Sequence, residues 1–144
     1  MDNAVIGGRA GITFGIHLCR GNHRSRYYAS GGYDPIVDVF RRTHFQRFLL
    51  EYDDERSGSF EPLKHVPGDR VVVLGLVSTK KGALESRAAL KRRIDEATSY
   101  VPLERLALSP QCGFASTEEG NVLTPEEQAA KLRLVAETAS EVWK

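Results

Sequence analysis

An α/β fold built on a parallel sheet is predicted by three observations. Four short apolar segments, 12–17, 48–51, 71–76 and 106–108, read as buried strands. Segments with helical apolar spacing lie between and after them. Strand, loop and helix recur in that order four times, without sequence identity between the units. Uninterrupted apolar strands suit a parallel sheet buried on both faces. Consecutive βα units imply right-handed crossovers.

Each element has a local reason. The first strand runs into His17-Leu18-Cys19. Asp34-Pro35 then opens a helix: Asp34 can cap, Pro35 suits the first helical position, and Ile36, Val39 and Phe40 follow at i, i+3, i+4. The second strand ends at Glu51 and meets a charged run over 53–59, which reads as a loop, with one helical turn near 60–64. The third strand is nearly continuous in Val and Leu, and a helix over 84–100 places Leu90, Ile94 and Ala97 on one face. The fourth, 106–108, is short and Leu-rich, so its place in the series carries the assignment. Thr124 and Glu127 have capping-box spacing with Pro125 between them, and the expected apolar stripe of the last helix is Leu132, Val135, Ala139 and Val142.

With 144 residues the chain has one domain's length. Twenty Lys and Arg against 19 Asp and Glu leave a formal charge of +1, without the basic excess that phosphate binding needs. No apolar run approaches the roughly 18 residues of a membrane span, and residues 1–10 lack the basic start and apolar stretch of a signal peptide. The expectation is a soluble, cytoplasmic chain with neither nucleic acid nor membrane as partner.

Functional groups of a βα series gather at the C-terminal ends of its strands. His17 and Cys19, at i and i+2, point to one face of the first strand. Glu51 ends the second. After the fourth, Ser109-Pro110-Gln111-Cys112-Gly113-Phe114 turns the chain and presents Cys112. Two readings of the cysteines stand at this level: small buried hydrophobes or, in a reducing compartment, thiol ligands. One His, two Cys and one Glu make a four-coordinate donor set for Zn²⁺. His23, His44 and His65 read as solvated loop histidines.

The runs Ile16-His17-Leu18-Cys19-Arg20-Gly21-Asn22, Leu50-Glu51-Tyr52-Asp53, Gly75-Leu76-Val77-Ser78-Thr79-Lys80 and Leu108-Ser109-Pro110-Gln111-Cys112-Gly113-Phe114 occur in this order and spacing. Together they resemble the C-terminal catalytic domain of cobalamin-independent methionine synthase, in its shorter, methionine-synthase-like branch, over about residues 2–143. The resemblance implies the C-terminal half, four βα units, of a (β/α)8 TIM barrel. It implies zinc ligands His17, Cys19, Glu51 and Cys112, and a homocysteine-like thiol held as thiolate to take a methyl group from a methyl-folate. A free thiol near pKa 8.5 is mostly protonated at neutral pH and needs that help. Two thiolates and a carboxylate on Zn²⁺ sum to a charge of about −1, and Glu51, the hardest ligand, is the easiest to exchange. The related epoxyalkane:coenzyme M transferases, which use a similar site on another thiol, are the alternative, as is a non-catalytic zinc-binding half-barrel.

The sequence departs from the synthase at the third strand. There the synthase carries an acidic residue and a histidine linked to protonation of the folate leaving group, and here Ser78 and Lys80 stand. Lys80 is a candidate acid or anion-binding group. A full barrel needs about 250 residues. Residues 2–6 read as the tail of a helix belonging to the other half. Four units leave two strand edges and an apolar inner face, including Ile12, Phe14, Leu49 and Val73, to be covered. At about 25 cal/mol per Å², a few hundred Å² of such surface is large against a net stability of about 5–15 kcal/mol. A homodimer or a partner first-half chain is therefore expected.

Overall fold

In the computed structural model, which describes residues 2–144, β1 (Gly15–Leu18), β2 (Arg47–Glu51), β3 (Val71–Val77) and β4 (Leu106–Pro110) form one parallel sheet in chain order. Chain order without a switch puts every crossover on the same side, as in a barrel. Helices α1 (Asp2–Ile6), α2 (Val37–Arg42), α3 (Arg87–Thr98) and α4 (Pro125–Val142) complete the regular elements.

Alternation along the strands separates the two faces. Phe48, Leu50, Val72 and Leu74 are almost fully buried on the outer face, under the helices. Their neighbours Leu49, Val73 and Ala107 on the inner face are half-buried, and His17 is exposed there. Burial on both faces, the reading of the apolar runs alone, does not hold among the described residues: the apolar inner face has no covering layer, as expected for four units of a barrel. Ile12 lies ahead of β1 rather than in it and is 52% exposed.

The outer layer closes on an aromatic cluster. Phe40 meets Phe48 at 5.3 Å between ring centroids, Tyr33 meets Tyr52 at 5.2 Å, and Tyr52 meets Phe60 at 4.5 Å. The connection from β2 to β3 contains no α-helix. Two 3-10 turns, Glu55–Ser57 and Glu61–His65, stand in its place, and the buried Phe60 and Leu63 supply the cover a helix would give. Pro62 and Pro67 remove backbone donors there and shorten any helix. Asp34 lies inside a 3-10 turn, Asp34–Ile36, that leads into α2, and does not cap it.

Helix α3 begins after Ser86, whose hydroxyl accepts from Ala89 N at 3.1 Å. Helix α4 has the predicted reciprocal capping box between Thr124 and Glu127. Its buried stripe differs from the predicted one in part: Val135 and Val142 pack against the core as expected, but Lys131, Leu134 and Thr138 are the buried positions and Leu132 is 46% exposed. A lysine can cover apolar surface with its stem if its ammonium finds acceptors. Lys131 Nζ donates to Ala83 O at 2.7 Å and to Glu85 Oε2 at 3.0 Å.

A register shift between Gly75 and Val77 presses the end of β4 against β3. A Cβ at Gly75 would lie 2.8 Å from both Gln111 Cα and Leu50 O, so only glycine allows this approach.

Candidate metal centre

Strand spacing of about 4.8 Å would hold β1 and β4 about 14 Å apart in a flat four-stranded sheet, with parallel side chains. Yet His17 and Cys19, from the end of β1, and Cys112, just past β4, bring one donor atom each within 4.8 Å of one another. The sheet is therefore strongly curved, with its inner-face side chains converging at the C-terminal rim. His17 and Cys19 are exposed there and Cys112 is half-buried. Among the described residues this is the one group of His, Cys, Asp and Glu side chains that meets a metal-site spacing.

The rim is fastened by the loops above it. Asn22 Nδ2, after β1, donates to Gly113 O at 2.9 Å and lies 3.1 Å from both Thr79 Oγ1 and Ser116 Oγ. Asn121 Nδ2 donates to Thr79 O at 2.7 Å, and Val122 N donates to Ser25 Oγ at 3.0 Å. Gln111 N donates to Val77 O at 2.8 Å, and its side-chain oxygen accepts from Thr79. These bonds join the β1, β3 and β4 loops and fix where Cys112 sits.

The three donors perturb one another. The neighbouring His17 imidazole pulls the Cys112 thiol down to about 6, and the Ser116 hydroxyl, 3.3 Å from its sulfur, helps. The same contact raises the His17 imidazole, and Glu51 adds to that rise. Cys19 moves the other way: partial desolvation pushes its thiol up. A thiolate beside an imidazole at neutral pH is a ready soft ligand pair.

Glu51, fully buried, stands at the end of β2 but outside the three-donor group. Oε2 accepts from Arg20 N at 2.7 Å. Oε1 lies 3.2 Å from both Lys80 Nζ and Arg56 Nη2. Lys80, buried after β3, also reaches Asp53 Oδ2 at 3.5 Å, and Arg56 reaches Asp53 at 3.6 Å and Asp54 at 2.7 Å. Burial pushes the Asp53 carboxyl up, and Lys80 pulls it back. Tyr33 locks the first two strands together: its hydroxyl accepts from Glu51 N at 2.7 Å and donates to Leu18 O at 2.8 Å. The Arg20 guanidinium covers its ring at 4.3 Å, and burial pushes this phenol up to about 12.

The structure thus gathers His17, Cys19 and Cys112 and sets Glu51 and Lys80 beside them as an ion pair. His44 is exposed, His65 meets Arg41, and His23 lies 4.0 Å from Glu119; none joins the group. Arg56 and Asp53 received no role from sequence reasoning, because a charged run after a strand reads as a solvated loop. Their signal was the strand end itself, where five of the six residues from Glu51 to Arg56 are charged.

Fold and rim together define a half-barrel of the (β/α)8 class with a cysteine–histidine centre on its C-terminal face. The chain belongs to the family of cobalamin-independent synthase catalytic domains, whose model matches residues 32–140. Glu51 and Cys112 lie inside that match, and His17 and Cys19 precede it. Two Bacillus subtilis (strain 168) proteins of uncharacterized function, YxjG and YxjH, are similar along the entire chain, at 51% and 49% identity. The chain spans 39% of the length of each. A Listeria monocytogenes structure, provisionally described as a vitamin-B12 independent methionine synthase, is 38% identical, with a TM-score of 0.73 over 98% of this chain and 38% of its own. A B12-independent methionine synthase from Shewanella sp. W3-18-1, in complex with selenomethionine, shares the fold at 16% identity, with a TM-score of 0.78 over 97% of this chain and 41% of its own. Among the described residues no helix is long and apolar enough to cross a membrane.

Proposed function

We propose that His17, Cys19 and Cys112 hold a zinc ion, with Glu51 as an exchangeable fourth ligand, and that the site activates a homocysteine-like thiol for methylation. The observation that supports this most is the meeting of two thiols and an imidazole across the full width of the sheet. The donor set fits zinc: one thiol already favours its thiolate, the donors are soft, and the rim is open to solvent on one side. Bound zinc would supply a low-pKa environment in which an added thiol stays a thiolate. The chain's own residues do the rest. Asn22 and the Thr79–Gln111 pair hold the Cys112 loop, and Tyr33 and Arg20 hold Glu51 at the mouth of the sheet.

A methyl-folate is the donor that family membership favours. The end of β3 favours a second reading, because Lys80 is committed to Glu51 and Asp53 where the synthase carries an acid and a histidine. An alkyl donor whose leaving group needs no protein acid is that reading, and turnover with each donor class separates the two. We take residues 1–144 as one partial-barrel unit. Its bare inner face and two open strand edges call for four further strands, from a first-half segment or chain, or from a second copy. Relatives of which this chain spans 39% have the length to carry such a segment.

Metal analysis tests the site. Near-stoichiometric zinc is expected in the purified protein, with a large loss in Cys112→Ser. Retention by Cys19→Ser/Cys112→Ser overturns the assignment. On adding homocysteine, X-ray absorption should show one oxygen or nitrogen replaced by sulfur at roughly 2.3 Å. An unchanged shell at saturating thiol would make the metal structural.

A further inference from the structure

Glu51 is more heavily engaged than a simple ligand needs to be. Its Oε1 faces two cations at 3.2 Å, and its Oε2 is held by a backbone N–H. A carboxylate oxygen offers about two acceptor positions. Oε1 is therefore saturated, and the one lone-pair position left on the carboxylate is on Oε2. Asp53, with its side chain only 2% exposed, competes for the same two cations, at 3.5 Å from Lys80 and 3.6 Å from Arg56. The two carboxylates thus share Lys80 and Arg56, and a change in one contact redistributes the others.

We propose that Lys80 is a positioning residue that tunes Glu51 as a metal ligand: by holding Oε1, it keeps the carboxylate a weak ligand and the fourth coordination position exchangeable for the incoming thiol. Asp53 sets the strength of that hold by drawing the ammonium part of the way off. The inference rests on the zinc reading above and goes beyond it, because it assigns the weakness of the fourth ligand to two residues that touch neither metal nor thiol. A cation on a ligating carboxylate withdraws charge from it, and outer partners of this kind change metal affinity by about 10–100-fold.

The test is zinc affinity by chelator competition on the full chain, with folding checked by circular dichroism. Lys80→Met frees Oε1 and should tighten zinc about tenfold, with weaker displacement of the fourth ligand by homocysteine in the Co²⁺-substituted protein's visible spectrum. Asp53→Asn releases Lys80 and Arg56 onto Glu51 and should weaken zinc severalfold. A merely structural role moves both variants the same way. The Lys80→Met effect should vanish in a Glu51→Gln background. If it persists there at full size, Lys80 acts directly on the metal by charge, and the proposal is overturned. An unchanged affinity in Lys80→Met also overturns it. Should that variant fail to fold, tightening or no change in Asp53→Asn does the same. Zinc bound equally by wild type and every variant sinks this inference alone, whereas a wild type that binds no zinc sinks the site assignment with it.

Discussion

The two faces of the sheet are built from the same residue types and have opposite fates. Phe48 and Leu49 are chain neighbours in β2. Phe48 is completely buried against Phe40 and Phe45, and Leu49 is half-buried on a face with no layer over it. Val72 and Val73 repeat the contrast in β3. The outer face is where this unit's stability is made. The inner face carries the cysteine–histidine group at its rim and would add stability when more strands cover it. Alanine scanning breaks or supports that division most strongly. Phe48→Ala should cost about 3–5 kcal/mol in urea unfolding, as for other buried aromatics, and Leu49→Ala about 1 kcal/mol or less. Equal costs would mean that the inner face is already covered in solution, by a second copy for instance. Addition of a first-half segment should raise the Leu49→Ala cost toward that of a buried leucine.

The strands were legible because short apolar runs leave few alternatives, and three of the four strand ends drew notice because metal-ligand residue types recur there. The bare inner face followed from the half-barrel resemblance and not from the strands themselves. Val71-Val72-Val73-Leu74 reads the same whether one face or both are covered, since hydrophobicity records what a face will meet and not what is present. Curvature likewise came with the barrel resemblance and not from the residue pattern, because it arises from strand twist, tight packing at Gly75 and loop bonds such as Asn22 to Gly113, none of which has a sequence period. The ion cluster at Glu51, Asp53, Arg56 and Lys80 was split between a supposed loop and a strand end 29 residues away from Glu51. Its members are individually ordinary charges. Only folding shows that they neutralise one another out of water.

Lys131 is the outer layer's counterpart to Lys80, a charged side chain with no exposed surface. Its period-based replacement, Leu132, ends up in water instead. The difference lies in what each lysine serves: Lys131 ties α4 to the 83–85 loop through Ala83 O and Glu85, remote from the three-donor group. Lys131→Met should therefore cost about 2 kcal/mol, less than a fully buried pair because Glu85 retains some solvent and the Ser78 N–H. Glu85→Gln in the same chain should recover part of that loss, since the carboxylate then needs no counter-ion. Zinc affinity should not move. A Lys131→Met variant with unchanged stability and altered zinc binding would mean that the two layers are coupled and the division between them is wrong.

The smallest effect separates the two cysteines within the rim itself. In chelator-stripped protein Cys112 is held down to about 6 by the neighbouring His17 imidazole, against an ordinary value of 9.0, and desolvation raises Cys19. At pH 7 Cys112 is then mostly thiolate and Cys19 mostly thiol. Lower basicity also makes a thiolate a poorer nucleophile, with a Brønsted slope of about 0.4–0.5, which offsets only part of that difference. The net expectation is that iodoacetamide labels Cys112 faster than Cys19 at pH 7, as read by peptide mass spectrometry. The sign follows from the thiolate fractions: the lead shrinks as pH rises and reverses as Cys19 ionises, because Cys19 is the more nucleophilic thiolate. His17→Ala removes the main cause of the lowered Cys112 value and should abolish the lead. Equal labelling at pH 7, or a lead that survives His17→Ala, would show that the imidazole does not reach Cys112 across the sheet, and that the inner rim is flatter than the distances between its donors require.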